Sequence, residues 1–592
     1  MLRHPSYQVV SNAAAYIQHL TYADDNMKAV IRRMGVIPLL VNLLHHHVIE
    51  VQRNACGALR NMIYGRSNDD AKIIVRNCGG VSSLTHVLNN TEDHEMRELI
   101  SGVLWNLSSC DVLKTPIADS AIPVLVSRIV LRYVNMLEPD RFALPSTGSM
   151  EFGGSHTDMT TSEFTIDNHW TTLFVNATGC LRNVSSAGVE VRCKMRSCVG
   201  LVEALLVVLE SVIGKNEVDS KGVENCMCVL RNLSYRLAME VDAAHDPMSR
   251  DAEGRRSDEK EEDCWRRRKE KKRRSYQETP EKSPQLSKHV TDGPELLWQP
   301  TVVRRYLAIL SETCNFGTLE AAAGALQNLS AGQWVWAATI RLTVRKEKGL
   351  PMLVEFLHMQ NERIVTVMCS ALRNMSLDLR NKELLGKHAM SDFVDLLPVV
   401  ELTPTFHIEN SPNSAPALLT HQRTLLLEAV CGALRELVTS SVDNSMALYN
   451  VGGVPRLVAI SKSTHFRYPQ RLVQCAGRVL SLLWDHKPVR NVLKHDGWGP
   501  YHFSFTGVPS FASVGSQVSP YTSPASMSPE EQRPYRVSTS YASTQSNVFR
   551  ETPLPSPRYR THSPPTSPHT HLVSPDPNYV TLIQPEGLDS WV

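Results

Sequence analysis

The segment ACGALRNM at residues 55–62 is the first clear copy of a pattern that recurs along the chain. Small residues such as Ala55 and Ala58 let neighbouring helices approach, while Leu59 and Met62, three residues apart, place apolar bulk on one helix face. Further copies are ISGVLWNLSS (100–109), ATGCLRNVSS (177–186), NCMCVLRNLSY (225–235), AAGALQNLSA (322–331) and MCSALRNMSL (368–377), with weaker ones at 12–22, 430–439 and 475–484. The pattern therefore predicts nine similar helices.

The spacing of these copies indicates a solenoid. The marker leucines Leu59 and Leu104 lie 45 residues apart, and Leu326 and Leu372 lie 46 residues apart. Periods of this length belong to repeats of two or three helices, each of which buries its apolar face against the next. We therefore predict an all-α solenoid of about nine repeats.

A second pattern precedes the repeated helix. The segments GVIPLLVNLL (35–44), GLPMLVEFL (349–357) and GGVPRLVAI (452–460) place glycine where one helix ends and proline where the next begins. The two patterns together resemble armadillo repeats. With its long insert in mid-array, the chain resembles over roughly residues 4–500 the delta-catenin group of armadillo proteins, which contains the cadherin juxtamembrane-binding catenins and their plakophilin relatives. The resemblance implies an armadillo superhelix.

Composition shifts divide the array into repeats, inserts and a tail. We expect an incomplete first repeat, two disordered inserts and a disordered C-terminal tail. The predicted segments are repeats 1–3 at 1–135, an insert loop at 136–168, repeats 4–5 at 169–240, a charged insert at 241–292, repeats 6–9 at 293–500 and the tail at 501–592.

Composition also excludes several classes of function. The 62 Lys and Arg against 60 Asp and Glu give a formal charge of +2, so contacts with nucleic acid or membrane depend on local patches. The apolar run at 201–214 is interrupted by Glu203 and Glu210 and is too short to cross a bilayer. The N-terminus lacks the apolar region of a secretory signal. We predict a cytosolic protein with no specific nucleic-acid partner. Its reduced cysteines should pack in helix cores, among them Cys56, Cys226, Cys369, Cys431 and Cys475.

No catalytic or metal-binding pattern stands out. The HHH triplet at 45–47 follows an apolar helix and has no spaced partner ligands, so a solvated helix end is the better interpretation. Cys226 and Cys228 lie two residues apart in a helix, which points their thiols to different faces. The chain has no GxSxG, no P-loop and no GxGxxG after a strand. We predict neither an enzyme nor a bound cofactor or metal.

A polar residue recurs two positions after the marker leucine. It lies about 200° round the helix from that leucine, so we expect it to face away from the core. A row of amides can pair with the backbone of an extended peptide; alternatively, the amides bridge neighbouring repeats. The row comprises Asn61, Asn106, Asn183, Asn232, Asn328 and Asn374, and Arg60, Arg182, Arg231 and Arg373 precede four of these residues. Residues 1–80 contain nine Lys and Arg against five Asp and Glu, an excess of four that favours an acidic ligand.

The family resemblance implies that this ligand is the acidic juxtamembrane segment of a cadherin tail. Lys28, Lys72, Trp105 and Asn106 match the family's cadherin groove, where lysines pair with carboxylates and the asparagine holds backbone. The predicted groove residues are Lys28, Arg60, Asn61, Lys72, Trp105, Asn106, Asn183 and Asn232. The resemblance further implies the cytoplasmic face of adherens junctions, cadherin stabilisation, and actin and Rho-family signalling.

A nuclear transport receptor is disfavoured. Grooves of the importin-alpha type present tryptophan four residues before the asparagine. This chain has Gly57, Gly102, Gly179, Cys228, Gly324 and Ser370 at those positions.

The charged insert supports an alternative function. Acidic and basic residues at 258–275 lead into a dense basic cluster, which suits nuclear import, anionic lipid or an acidic protein surface. The cluster consists of Arg266, Arg267, Arg268, Lys269, Lys271, Lys272, Arg273 and Arg274. A nuclear or cytoskeletal regulator acting through this insert is therefore the second hypothesis, and membrane association would come only through the insert or through partners.

The tail ends on a short apolar sequence. Eight Ser-Pro or Thr-Pro pairs, at 519, 523, 528, 552, 556, 563, 567 and 574, predict a phosphoprotein whose tail is open to proline-directed kinases. The last four residues, Asp589, Ser590, Trp591 and Val592, form a Ser-x-aliphatic ending with a free carboxylate. Such an end can add a strand to a PDZ domain, so we predict PDZ scaffold proteins as partners.

Overall fold

The computed structural model describes residues 1–65, 68–138, 168–241, 293–399, 419–463 and 468–504. Every element in these ranges is helical. The chain forms two compact units, the first comprising Met1–Val124 and the second beginning at Leu125. The basic cluster at 266–274 and the C-terminal motif at 589–592 lie outside the described residues.

The first unit contains eight successive helices in the ranges described. They are α1 (Tyr7–Leu20), α2 (Asp25–Arg33), α3 (Val36–Leu43), α4 (Ile49–Ile63), α5 (Asp69–Asn77), α6 (Gly80–Asn90), α7 (His94–Ser108) and α8 (Asp111–Ser120). A continuous helical segment follows, made of α9 (Ile122–Leu125), a π-helical turn (Val126–Val130) and α10 (Leu131–Leu137).

The second unit continues the same alternation of short and long helices. Its next helices are α11 (Asn168–Ser185), α12 (Val189–Arg196), α13 (Leu201–Val212), α14 (Lys221–Ser234), α15 (Leu237–Val241), a 3₁₀ turn (Pro294–Trp298), α16 (Pro300–Glu312), α17 (Phe316–Leu329), α18 (Val335–Lys346), α19 (Gly349–Glu355) and a 3₁₀ turn (Phe356–His358). The last are α20 (Glu362–Met375), α21 (Leu379–His388), α22 (Met390–Asp395), α23 (His421–Val438), α24 (Val442–Asn450), α25 (Gly453–Ser461), α26 (Gln470–Asp485), α27 (Lys487–His495) and α28 (Pro500–Phe503). The described fold thus passes the predicted boundary at residue 500.

Nine described helices carry the repeated pattern, as the sequence predicts. Helices α1, α4 and α7 pack side by side in the first unit, and α11, α14, α17, α20, α23 and α26 do so in the second. Ala55, Leu59 and Met62 are fully buried, which is the role that the pattern assigned to them. The predicted all-α armadillo solenoid is confirmed.

Side-chain caps define where many of these helices begin. The Asp24 carboxylate accepts from the Met27 N–H before α2, and the Asp93 carboxylate accepts from the Met96 N–H before α7. Each such cap satisfies a backbone donor that has no intrahelical partner, and is worth about 1 kcal/mol.

Left-handed residues join the short helices. Gly35 and Gly452 adopt φ of 71° and 74°, as expected for glycine between two helices. The prediction is wrong at 349–357, where Lys348 takes the left-handed position with φ of 54° and Gly349 is the first helical residue. A Cβ at Gly349 would lie 2.8 Å from a methyl group of Leu307, so this glycine provides room for packing instead.

The predicted core cysteines pack as expected. Cys56, Cys226, Cys369 and Cys431 are buried, whereas Cys475 is half-buried. Burial raises the pKa of the Cys56 thiol to about 12, so it stays protonated and unreactive at neutral pH. Within the described ranges no helix is both long and apolar enough to cross a membrane.

Two polar contacts hold the chain on either side of the charged insert. Before it, the buried Glu240 of α15 accepts from Arg196 at 2.8 Å and from Arg192 Nε at 3.1 Å, both on α12. After it, the Gly293 N–H donates to the Glu203 carboxylate of α13. Both attachment points therefore lie on consecutive helices of one repeat.

Candidate peptide-binding surface

In three places the arginine before a repeated asparagine lies across a glycine of the next repeat. A Cβ would lie 3.2 Å from Arg60 Nε at Gly102, 2.8 Å from Arg231 Cδ at Gly324 and 3.6 Å from Arg373 Cδ at Gly432. These glycines occupy the positions where importin-alpha-type grooves carry tryptophan. The arginine of the preceding repeat covers this surface instead, which explains the absence of a tryptophan array.

Four of the repeated asparagines bridge neighbouring repeats. Their amide Nδ2 groups donate from Asn61 to Gln18 O at 2.8 Å, from Asn232 to Ser185 Oγ at 2.9 Å, from Asn328 to Arg231 O at 3.0 Å and from Asn374 to Gln327 O at 2.8 Å. Asn61 is only 3% exposed, so the expectation that it faces away from the core is wrong. A 200° rotation from the leucine turns the amide toward the preceding helix, whose last carbonyls need donors.

The remaining members of the row differ from these four. Asn183 lies on α11 and is half-buried. Asn106 lies on α7, is half-buried, and its side chain makes no hydrogen bond to any residue that the structure describes. Its amide therefore keeps both donors and its acceptor for a ligand.

Arg60, Trp105 and Asn106 form one surface, which we name the α4/α7 face. Arg60 extends from α4 over Gly102 of α7, and Asn106 lies one helical turn after Gly102, with Trp105 beside it. All three side chains are half-buried and lack hydrogen-bond partners among the described residues. The face thus combines a cation, an aromatic ring and an amide.

Lys28 and Lys72 are buried rather than presented on an open wall. They are 3% and 1% exposed, on α2 and α5. Lys28 Nζ lies 2.8 Å from Asp25 Oδ1, and Lys72 Nζ lies 2.8 Å from Asp69 Oδ1. The lysines do pair with carboxylates, as the resemblance implied, but in this structure the carboxylates belong to their own helices.

Lys72 is also tied to the helices on both sides of it. Its ammonium donates to the Gly65 carbonyl at 3.0 Å, just after α4, and to Ser109 Oγ at 2.8 Å, just after α7. With Asp69, these three acceptors use all three N–H groups of the ammonium.

Other repeats place an arginine in the same role, which the sequence analysis missed. Arg192 donates to the Ala187 carbonyl at 2.7 Å, and Arg341 donates to the Ser330 carbonyl at 2.7 Å. In each case a cation on the short helix neutralises the negative C-terminal end of the long helix before it. The signal was available as a Lys or Arg that recurs in the helix after a long helix, at Lys72, Arg192 and Arg341.

Arginine–glutamate pairs connect successive long helices of the second unit. Arg182 Nη1 donates to Glu224 Oε1 at 2.7 Å. Burial alone would raise the pKa of Glu224, but the charges of Arg182 and Lys221 outweigh it and hold the pKa below its ordinary value. Arg231 and Glu320 repeat this pair at 3.7 Å. These glutamates, eight residues before the next asparagine, were not among the predicted site residues.

Comparisons with known proteins identify the type of repeat. A family model, the armadillo/beta-catenin-like repeat, matches residues 24–64 and 340–377. Human catenin delta-2 is 44% identical over 509 residues, covering 85% of this chain and 39% of that protein. The mouse splicing regulator ARVCF is 41% identical, covering 85% of this chain and 50% of its own length. The chain is an armadillo protein related to the delta-catenin group.

Two further matches extend the likeness to the delta-catenin group and its fold. The juxtamembrane domain-associated catenin of Caenorhabditis elegans is 36% identical, covering 82% of this chain and 35% of that protein. A solved engineered protein has a TM-score of 0.55 at 16% identity, covering 84% of this chain and 90% of that one, and shows the fold alone. The chain spans half or less of the length of the curated relatives described here.

Proposed function

We propose that this chain is an armadillo scaffold of cell–cell junctions whose first unit binds the acidic juxtamembrane segment of a cadherin tail. The α4/α7 face carries the proposal, because its three side chains have no hydrogen-bond partners among the described residues. The similarity to catenins, one of which bears the name juxtamembrane domain-associated catenin, supports the same class of ligand.

Each residue of the α4/α7 face suits one property of an acidic extended peptide. The Arg60 guanidinium can bind a carboxylate through two parallel N–H groups. Asn106 can donate to a peptide carbonyl and accept from a peptide N–H, as an added strand would. Trp105 offers apolar area to the side chain between them.

Lys28 and Lys72 contribute to the proposed site mainly through the positive electrostatic potential that they create for an acidic ligand. Asp25 and Asp69 are exposed, with side chains 65% and 53% accessible. A ligand carboxylate can reach either ammonium by taking the place of that aspartate. Asn61 supports this face by joining α4 to the Gln18 carbonyl of α1. Asn183 and Asn232 lie in the second unit, and their part in peptide binding stays a prediction.

Binding of a synthetic cadherin juxtamembrane peptide to the full chain tests this proposal. The triple variant Arg60→Gln, Trp105→Ala, Asn106→Ala should lower the affinity at least about tenfold and flatten its dependence on salt, since a charge and a central aromatic contact are lost. Asn374→Ala, which removes a bridging amide of the second unit, is the control and should bind normally. Unchanged affinity of the triple variant would contradict the assignment.

We include two further classes of partner in this proposal, PDZ scaffold proteins and Rho-family regulators. The last four residues recruit PDZ scaffold proteins to the junction, and Rho-family regulators act downstream of the assembled scaffold. PDZ binding by the last four residues and electrostatic contacts of the basic cluster at 266–274 both use extended chain, so neither requires the segment to fold.

A second function, nuclear regulation through the basic insert, is favoured by one observation. A relative at 41% identity is named a splicing regulator. Replacing the eight basic residues at 266–274 by glutamine in the full chain should abolish nuclear accumulation while leaving cadherin-peptide binding intact. Nuclear levels equal to those of the wild type would remove this candidate.

A further inference from the structure

The arginine–glutamate pairs of the second unit follow a positional rule. An arginine just before the asparagine position faces two positions of the next repeat, one eight residues and one four residues before the next asparagine position. Arg231 obeys the rule with Glu320, at 3.7 Å, and with Gly324, whose added Cβ would lie 2.8 Å from it. Glu320 neutralises the charge of Arg231, and Gly324, which has no side chain, leaves room for the arginine side chain.

The rule fails at the last two repeat boundaries. The rule assigns Glu428 to Arg373 as its partner, but the Glu428 carboxylate pairs with Arg471 instead, at 3.1 Å. For Arg435, the position of the acid holds Gln474 and the position of the glycine holds Arg478. No carboxylate of the described residues lies within ion-pair distance of Arg373, Arg435 or Arg478.

These three arginines converge on one cavity of about 150 Å³ between α20, α23 and α26. Arg471, Glu428, Gly432, Cys431 and Cys475 also line it, so the lining contains four arginines and one carboxylate. Burial lowers the pKa of Arg373 and the charge of Arg435 lowers it further, whereas Glu436, which pairs with Lys382 at 3.0 Å, opposes both. Burial also raises the pKa of Glu428, against the opposing charge of Arg471. The lining therefore carries a net positive charge.

We propose that this cavity binds the phosphate of a phosphorylated serine, and that its occupant is the chain's own tail phosphorylated at Ser528. A phosphate carries a charge of about −1.5 to −2 and three acceptor oxygens, which matches guanidinium forks converging from three helices. Among the eight Ser-Pro and Thr-Pro sites, Ser528 is followed by Glu530 and Glu531, so its segment adds further negative charge.

The start of the tail lies next to the helix that carries two of the arginines. Phe503 of α28 stacks on Trp484 of α26 with ring centroids 4.7 Å apart, and Lys462 Nζ donates to the Ser504 carbonyl at 2.8 Å. Ser528 follows Ser504 by 24 residues, a length of chain that spans at most about 80 Å when fully extended. Helix α26 itself is about 24 Å long. Tethering thus gives the phosphoserine a high effective concentration at the cavity.

Binding of a peptide spanning 523–533 to the unphosphorylated full chain tests the proposal. The phosphoserine-528 peptide should bind at least about tenfold more tightly than the unmodified peptide, since charge-assisted bonds to arginine are lost without phosphate. The double variant Arg373→Gln, Arg435→Gln should remove most of this difference. Gln474→Glu should do so as well, because it restores the missing acid without deleting any arginine.

Two controls separate the outcomes. Arg380→Gln removes an exposed arginine paired with Glu383 and should not change the affinity. The triple variant of the α4/α7 face should also bind the phosphopeptide normally, so this test is independent of the cadherin proposal. Equal affinity for the modified and unmodified peptides, or unchanged phosphopeptide binding in both cavity variants, would overturn the phosphate site.

Occupation by the chain's own tail has a separate readout. After treatment with a proline-directed kinase, the full chain should bind the added phosphopeptide several-fold more weakly than before, and Ser528→Ala should prevent this loss. A treated wild-type chain that binds as well as the untreated one, with phosphorylation of Ser528 verified by mass spectrometry, would exclude the tail as occupant.

Discussion

Arg182 and Glu224 join two successive repeats through a 2.7 Å hydrogen bond whose carboxylate is largely buried. Arg231 and Glu320 occupy the same two positions at the next boundary, 3.7 Å apart. Electrostatic pairing therefore adds to apolar packing at these two boundaries.

Glu224→Gln should destabilise the second unit at pH 7 by about 1–3 kcal/mol, because the pair with Arg182 is lost. The pKa of Glu224 is held low in the folded chain, so its contribution is complete above the ordinary carboxyl range and is lost as pH falls through the lowered pKa. Urea unfolding midpoints of variant and wild type should therefore converge on acidification. A constant difference across that range would argue against the ion pair, and Glu383→Gln, at an exposed pair, provides the near-neutral control.

Two glycine substitutions should have opposite effects. Gly324→Ala places a Cβ 2.8 Å from Arg231 Cδ, so the arginine must move, at a cost of about 1–3 kcal/mol. Gly432→Ala meets Arg373 only at an ordinary 3.6 Å and should gain about 0.5–1 kcal/mol from helix propensity. The free energies of unfolding of the two variants, each compared with the wild type, test both predictions. If both variants lose the same amount of stability, the neighbouring arginine is not the cause.

Lys72→Met should loosen the first unit by about 1–3 kcal/mol, because the Gly65 carbonyl and Ser109 lose their buried donor. Hydrogen exchange of α5 and of the end of α7 should accelerate. Lys194→Met, at a lysine whose ion pair with Glu190 is exposed, is the matched control and should stay within about 0.5 kcal/mol of wild type. If both variants exchange like the wild type, Lys72 contributes no stability.

A peptide of the last ten residues should bind PDZ domains of junctional scaffolds with a micromolar dissociation constant, which corresponds to a binding free energy of about −8 kcal/mol. Val592 would fill the apolar pocket and Ser590 would bind the histidine of the PDZ helix. Fluorescence polarisation against an array of such domains measures this, with the amidated peptide and Val592→Ala as non-binding controls. An array that does not discriminate the free acid from the amide would refute the motif.

The repeat pattern alone was sufficient to predict the fold. Small residues and leucines at fixed spacing identify each long helix, because packing between repeats depends on local sequence. The side of the helix taken by Asn61 was not predictable, since its angle is known only relative to Leu59 and the neighbouring helix also lies on that side. The Arg182–Glu224 pair was missed for another reason: its residues are 42 positions apart, and only the register between two helices brings them together. The pattern also did not show that Lys348 takes the left-handed position while Gly349, like Gly453, gives room for packing.

The contacts of Glu240 and Gly293 have a consequence for how such chains diversify. Both contacts anchor to consecutive helices of a single repeat, so the sequence between them begins and ends at neighbouring points of a scaffold that does not depend on it. For a flexible connection, each doubling of length costs only about 0.6 kcal/mol. A longer, shorter or different sequence between these two points can therefore be accommodated while the contacts of Glu240 and Gly293 stay in place.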